Sequence, residues 1–591
     1  MNILLTAINA KYIHSNLAVY SLRACAGEYR NAVELAEYTI NNQKDYILEE
    51  LYKRKPDVLC FSCYIWNIDY VTDIAREYKK LCPSVPIWVG GPEVSYEVEA
   101  FLRENPYIDG VMIGEGEDTF RELCGYYAHK RKLSDIAGIA FRKNSTGNST
   151  SVNNIGGNKA GEIVFTSPRP IKNMSEIPFC YDTLDDFSNR IIYYESSRGC
   201  PFSCSYCLSS VDKTLRFRDT EIVKRELKFF IDQKVPQIKF VDRTFNCNHA
   251  HAMELWRFIK ANDNGVTNFH FEISADLLNQ EELELISDMR PGLIQLEIGV
   301  QSTNEVTIKE IHRTMKLERL KEVVKLIQSG NNIHEHLDLI AGLPYEDYDS
   351  FGRSFDEIYE LKPNQLQLGF LKVLKGSYMF EHAAEYGIVY HDKPPYEVMS
   401  TKWLSFDDVI KIKRVEDMLE VYYNSGQFEI TMKLMECIFD SAFEFFQELG
   451  DFYEANGYFG MSHSRIRRCE ILLEFLALYL HCHDSDDMTS VGLSENDGDR
   501  DDADFDENAQ IYSMIQESLI FDLYYRENCK SRPVWATDIG KFKHMTHAYC
   551  KNGKLSHVEP FHYIFLTSTC ASWMNCQSII RSRCGRFSTT T

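Results

Sequence analysis

Residues 196–208 read Ser-Ser-Arg-Gly-Cys-Pro-Phe-Ser-Cys-Ser-Tyr-Cys-Leu, and they hold the densest potential chemistry in the chain. Cys200, Cys204 and Cys207 form a Cys-x3-Cys-x2-Cys loop, with Tyr206 directly before the last thiol. Spacing this short puts three thiolates within reach of one inorganic core. Soft sulfur donors select iron–sulfur clusters, zinc or Cu(I) over harder metals. Closed zinc sites take four ligands, usually as two paired knuckles. Here three ligands stand at uneven spacing and no second pair follows. Three thiolates on a four-iron cluster leave one iron open, and an open iron can bind a substrate. A zinc loop or reactive unpaired cysteines are the alternatives.

The loop follows a strand-like run at 191–195, so the flanking elements must position it. Residues 1–142 alternate strand and helix, with strands at 2–8, 33–38, 58–62, 87–89 and 110–113 and helices at 17–28, 45–54 and 71–81. That pattern predicts a doubly wound α/β domain, whose ligands bind beyond the carboxyl ends of the strands. Ser62, Gly90, Gly91 and Glu93 stand at those ends, as do residues 9–14 and 114–117. Glycines there let backbone approach a bulky ligand. Residues 143–165, rich in Ser, Asn and Gly, read as a flexible excursion.

Residues 166–391 alternate again, with strands at 191–195, 237–241, 269–274, 293–299, 336–340 and 366–373. Polar residues recur at the strand ends: Asp242 and Arg243, Glu272 and Ser274, Glu297 and Gln301. Strand alternation puts positions 297, 299 and 301 on one face, with Gly299 leaving space between two polar groups. Residues 392–566 read as long helices, at 406–423, 428–456, 465–481 and 512–527, and their Met and aromatic stripes are core material. An acidic insertion at 484–508 interrupts them, and 567–591 read as an irregular tail carrying Cys570, Cys576 and Cys584.

Of the 591 residues, 44% are hydrophobic and 26% charged, an ordinary composition for a soluble protein. The formal net charge is −23. The 484–508 stretch holds eleven acidic residues opposed only by Arg500, which reads as a solvated insertion. The balance argues against a nucleic-acid partner. The first residues lack a signal-peptide pattern, and no apolar run approaches the ~18 residues of a membrane span. A cytoplasmic location with reduced thiols is the expectation.

The cysteine loop, with its aromatic residue before the last thiol, resembles that of the radical SAM superfamily. The resemblance implies a [4Fe–4S] cluster on Cys200, Cys204 and Cys207, whose open iron chelates S-adenosylmethionine. It implies reductive cleavage to methionine and a 5′-deoxyadenosyl radical, with electrons from a donor such as flavodoxin or ferredoxin. An α/β domain ahead of such a core resembles the cobalamin-binding branch, relatives of the anaerobic porphyrin ring cyclase and of cobalamin-dependent methylases. The implied architecture is a Rossmann-like domain, a partial (β/α)6 barrel and a helical C-terminal domain. The implied function is methyl transfer or ring-forming chemistry on a small molecule under anaerobic conditions. Cobalamin would bind without a histidine ligand, because the Asp-x-His-x-x-Gly loop is absent and His14 lacks its surroundings.

Set against that family, Asp242 and Arg243 occupy the place of its Gly-Gly-Glu element. Residues 299–302 (Gly-Val-Gln-Ser) resemble an element of the porphyrin-related members, making Glu297 and Gln301 candidates for ribose hydroxyls or the methionine carboxylate. Residues 339–346, with Gly342, resemble the element that packs adenine. Tyr206, Glu272 and Ser274 complete the candidate contacts to S-adenosylmethionine. The rivals are a non-catalytic iron–sulfur carrier or redox sensor, and an enzyme like the transfer-RNA methylthiotransferases. The last would need cysteines after three N-terminal strands, and only Cys63 stands at such a place.

Overall fold

The computed structural model describes residues 1–143, 161–211, 213–486, 502–526 and 532–536. The chain forms two compact units, one of Met1–Asp347 with Gly369–Ser405, the other of Tyr348–Leu368 with the residues from Phe406 onward.

The first unit begins with a seven-stranded sheet of order β2-β1-β3-β4-β5-β6-β7. Its strands are β1 Ile3–Asn9, β2 Val33–Thr39, β3 Val58–Ser62, β4 Ile87–Gly90, β5 Gly110–Met112, β6 Ile139–Lys143 and β7 Glu162–Phe165. Every residue of β1 and β3 is buried, as expected of central parallel strands covered on both faces. The first five strands run parallel, β6 pairs antiparallel with β5, and β7 pairs antiparallel with β6. The predicted excursion at 143–165 is thus bounded by paired strands: Lys143 faces Glu162 and Ala140 faces Phe165. Its centre lies outside the described residues.

A second sheet of six strands follows, Ile192–Tyr194, Gln237–Phe240, Asn268–Ile273, Ile294–Gln301, His334–Ala341 and Gln365–Phe370, adjacent in sequence order. It is the partial barrel. Burial along Ile294–Gln301 alternates strictly, leaving positions 295, 297, 299 and 301 on the less buried face. A capping box of Asn279 and Glu282 opens the helix Gln280–Ser287. The loop after β1 joins the two sheets. His14 bridges Ile191 in parallel, Ile191 N donates to Ile13 O (2.8 Å), and Ser15 Oγ donates to Ile191 O (2.8 Å).

The second unit is helical. The run expected at 428–456 is two helices, Glu429–Ile438 and Ala442–Ala455. The break comes where Ser441 caps the second, its side chain accepting from Glu444 N. The helix Phe406–Leu419 ends in a π turn at Glu420–Asn424. The helix expected from 512 begins earlier, at Asp502. Most of the acidic insertion and the whole tail with Cys570, Cys576 and Cys584 lie outside the described residues.

Candidate functional site

The cysteine loop leaves the first barrel strand through a short ribbon, Ser197–Arg198 paired antiparallel with Arg216–Phe217. Gly199 follows at φ +90°, where an added Cβ would sit 2.5 Å from Thr214 O, so only glycine fits. Farther along, Ser205 N donates to Ile311 O and Met379 N donates to Ser205 O, each at 2.9 Å. Later elements of the barrel therefore hold the loop from two sides.

Asp242 anchors the loop's stem. Its Oδ2 accepts from Ser196 N (2.9 Å), and its Oδ1 accepts from Ser196 Oγ (2.6 Å) and Ser197 Oγ (2.7 Å). It is fully buried, and burial pushes its pKa up to about 7 despite these donors. Both Asp242 oxygens are engaged by a backbone N–H and two hydroxyls. Because its folded pKa lies above that of a free carboxyl, stability from this group falls as pH rises from about 4 to about 7. Asp242→Ala should cost about 1–3 kcal/mol through the orphaned Ser196 N–H. It should also lower the iron retained after anaerobic reconstitution. Unchanged thermal unfolding and iron content would show that the stem does not depend on this carboxylate.

Cys200, Cys204 and Cys207 are free thiols. Burial raises the Cys200 pKa, and the neighbouring Cys207 and Cys204 raise it further. Arg313, which the sequence did not single out, stands beside them, its Nη1 3.8 Å from Cys204 Sγ and 3.1 Å from Tyr206 Oη. Its Nη2 donates to Gly299 O. The helix Glu305–Glu310 ends with His312 at φ +55° and Arg313 N donating to Ile308 O (3.1 Å), which turns Arg313 back toward the loop. Among the described residues no three His, Cys, Asp or Glu side chains are gathered around a single metal-ion position. Three free thiols with a guanidinium beside them suit a larger anionic core.

Strand register aligns Glu272 with Glu297, Glu297 with His336, and Gly299 with Asp338. Glu297 Oε2 lies 2.8 Å from Lys239 Nζ and 2.9 Å from His270 Nε2. Burial opposes its ionisation, yet His270 and Lys239 hold its pKa down at about 2. Its charge is therefore already met within the barrel. Burial raises the pKa of both Asp338 and Glu272, and Glu297 adds to each, although Arg243 opposes the rise at Glu272 and His336 Nε2 lies 3.4 Å from Asp338 Oδ1.

Gln301 sits at φ +78°, where a register shift interrupts the ladder, and its side chain folds back over Gly299. The gap expected above Gly299 is thus occupied by the Gln301 amide and Arg313. The Gln301 Oε1 and one Asp338 oxygen are buried without a hydrogen-bond partner.

Other predicted residues are turned elsewhere. Ser274 Oγ donates to Asp276 (2.7 Å), and its backbone pairs with Asn246. A Cβ on Gly342 would meet Val398, so this glycine admits the strand Val398–Ser400. Arg243 is exposed and lines a cleft.

That cleft, of about 610 Å³, lies between the N-terminal sheet and the cysteine ribbon. Ser62, Gly90, Gly91 and Gly114 line one side, and Ser197, Arg198 and Gly199 another. Gly114, at φ +75°, has open space where a side chain would stand, as a cradle for a bulky ligand requires. Glu93 is not on its wall; the Tyr396 hydroxyl donates to it, and burial raises its pKa. His14 is also off the wall, its Nδ1 2.7 Å from Tyr193 Oη.

Three family models match the chain: B12 binding domain at residues 3–124, Radical SAM superfamily at 194–358, and a protein of unknown function (DUF4080) at 384–563. The cobalamin-dependent radical SAM methyltransferase TokK of Streptomyces tokunonensis is 28% identical over 330 residues, 52% of this chain and 45% of TokK. The chain thus spans less than half of that relative. The anaerobic magnesium-protoporphyrin IX monomethyl ester cyclase of Rubrivivax gelatinosus is 22% identical over 355 residues, 57% of this chain and 60% of the cyclase. Among solved structures, the cobalamin-dependent S-adenosylmethionine radical enzyme OxsB with aqua-cobalamin bound superposes with a TM-score of 0.58 at 15% identity. That superposition covers 89% of this chain and 81% of OxsB, a likeness of fold. The cofactors of the two matched domains are a [4Fe–4S] cluster with S-adenosylmethionine, and cobalamin. Among the described residues no helix is long and apolar enough to cross a membrane. The thiol loop on its partial barrel and the glycine-lined cleft beside it coincide with the two matched domains: the chain carries a B12 binding domain at residues 3–124 ahead of a radical SAM domain at 194–358.

Proposed function

We propose that this protein cleaves S-adenosylmethionine reductively and, with cobalamin, carries out methyl transfer or ring-forming chemistry on a small molecule. One observation carries the reading: the residues that lead into Cys200 form a wall of the same cleft that Gly90, Gly91 and Gly114 line. Two cofactor sites on one cavity suit a reaction that uses both. When bound, the cluster supplies one electron to S-adenosylmethionine and cobalamin serves as a methyl or electron carrier.

Cys200, Cys204 and Cys207 hold the cluster. Glu272, Gln301, Asp338 and Arg313 hold S-adenosylmethionine, because Arg313 stands beside Cys204 and over Gly299 and the buried Gln301 Oε1 lacks a hydrogen-bond partner. Tyr206 orients Arg313. Glu297 fixes Lys239 and His270 beneath that site. Gln301→Ala should weaken S-adenosylmethionine binding by about 1–3 kcal/mol, with iron content unchanged. Equal affinities in an anaerobic titration would remove Gln301 from the site.

The cleft takes cobalamin without a histidine ligand, since His14 is engaged by Tyr193. The test is titration of iron-reconstituted full chain with hydroxocobalamin, followed by electron paramagnetic resonance of the Co(II) form. Stoichiometric binding without nitrogen superhyperfine splitting is expected. Splitting would contradict the ligation, and absence of binding would contradict cobalamin. The protein works in a reducing, anaerobic cytoplasm with a flavodoxin or ferredoxin as donor. Methyl transfer and ring formation are the reactions named by the TokK and cyclase relatives.

A further inference from the structure

In the ribbon that carries the cysteine loop, Arg198 stands directly opposite Arg216. Like charges facing each other across a strand pair repel, so this ribbon needs carboxylates close by. Glu195 is one, its Oε2 2.7 Å from Arg198 Nη2. The others come from the N-terminal domain, Glu115 on the loop after β5 and Glu117 at the start of the helix Glu117–Tyr127 that follows. Glu117 Oε1 lies 2.8 Å from Arg198 Nη2. Glu115 Oε1 lies 2.6 Å from Arg216 Nη1 and 3.5 Å from Arg198 Nη1. The four side chains keep between 7% and 23% of their surface exposed, so salt screens them weakly. This same loop is a wall of the cleft, with open space above Gly114.

We propose that Arg198 and Arg216 are positioning residues that couple occupancy of the cleft to the order of the cysteine loop. A molecule seated against residues 114–117 fixes Glu115 and Glu117, and these fix the ribbon that leads into Cys200. Coupling of this kind is reciprocal, so an assembled cluster tightens binding in the cleft by the same factor. The inference rests on the reading that the cleft takes cobalamin.

The test is amide hydrogen exchange of the iron-loaded full chain with and without hydroxocobalamin. In the wild type the vitamin should slow exchange across residues 199–208 by about fivefold or more. Arg216 does not line the cleft, so Arg216→Gln should still bind the vitamin while the slowing drops below about twofold. Arg216→Lys, which keeps the charge, should restore part of it. A merely structural arginine would speed exchange equally with and without the vitamin; an unchanged ratio in Arg216→Gln therefore overturns the coupling. Should that variant fail to load iron, the wild type alone decides. Its hydroxocobalamin Kd should weaken by about fivefold after the iron is chelated, and an equal Kd overturns the proposal. Binding without any change at 199–208 overturns the coupling alone, whereas no binding overturns the reading of the cleft.

Discussion

Cys204→Ala is expected to lose most of its bound iron and all cleavage of S-adenosylmethionine. The physical reason is ligand count: two thiolates cannot hold a four-iron core as three do. Cys247 is near enough to feel Cys200 electrostatically, but burial pushes its pKa up to about 11, which disfavours the thiolate a ligand must supply. Iron assay and the visible absorbance of the reconstituted variant measure the outcome. Full iron content with intact cleavage would move the cluster elsewhere in the chain.

Arg313→Ala should come next in severity. The guanidinium is the cation beside Cys204, and it also ties Tyr206 to the Gly299 carbonyl. Removing it leaves Cys204 and Tyr206 without that cation and takes away one of the charges that oppose Asp338. Losing one partner of a buried charged contact costs about 2–5 kcal/mol, so S-adenosylmethionine affinity should fall by about one and a half to three and a half orders of magnitude. Arg313→Lys should recover only part of this, because an ammonium keeps the charge and loses the fork. Affinities within twofold of wild type in both variants would take Arg313 out of the site.

Arg313 also marks where sequence reasoning reached its limit. In the run Glu310-Ile311-His312-Arg313 an arginine after a helix reads as a surface residue near a C-terminus. Only the left-handed backbone at His312 sends it inward, and nothing in the residue types announces that. The strands of both sheets were legible because continuous apolar runs and strict alternation are written into composition, as in β1 and Ile294–Gln301. The ends of the 143–165 excursion were not, since short strands beside a Ser/Asn/Gly-rich stretch carry too few apolar positions to show a period. The split at residues 439–441 was hidden by unbroken Met, Leu and Phe on both sides, with Ser441 as its only signal.

At the site, residue type located polar strand ends without telling which way each one bonds. Asp242 and Ser274 are engaged with backbone and neighbouring hydroxyl or carboxyl groups, and Glu297 with Lys239 and His270. Glu93 is engaged with Tyr396, more than three hundred residues away. Such partners are set by tertiary packing, which spacing alone does not encode.

The central claim is that this loop and barrel cleave S-adenosylmethionine. The most direct measurement is 5′-deoxyadenosine formed by the anaerobically reconstituted full chain given S-adenosylmethionine and dithionite. Formation of 5′-deoxyadenosine that disappears in Cys200→Ala, Cys204→Ala and Cys207→Ala is the predicted result. A fully iron-loaded wild type that binds S-adenosylmethionine and yields no 5′-deoxyadenosine would contradict it.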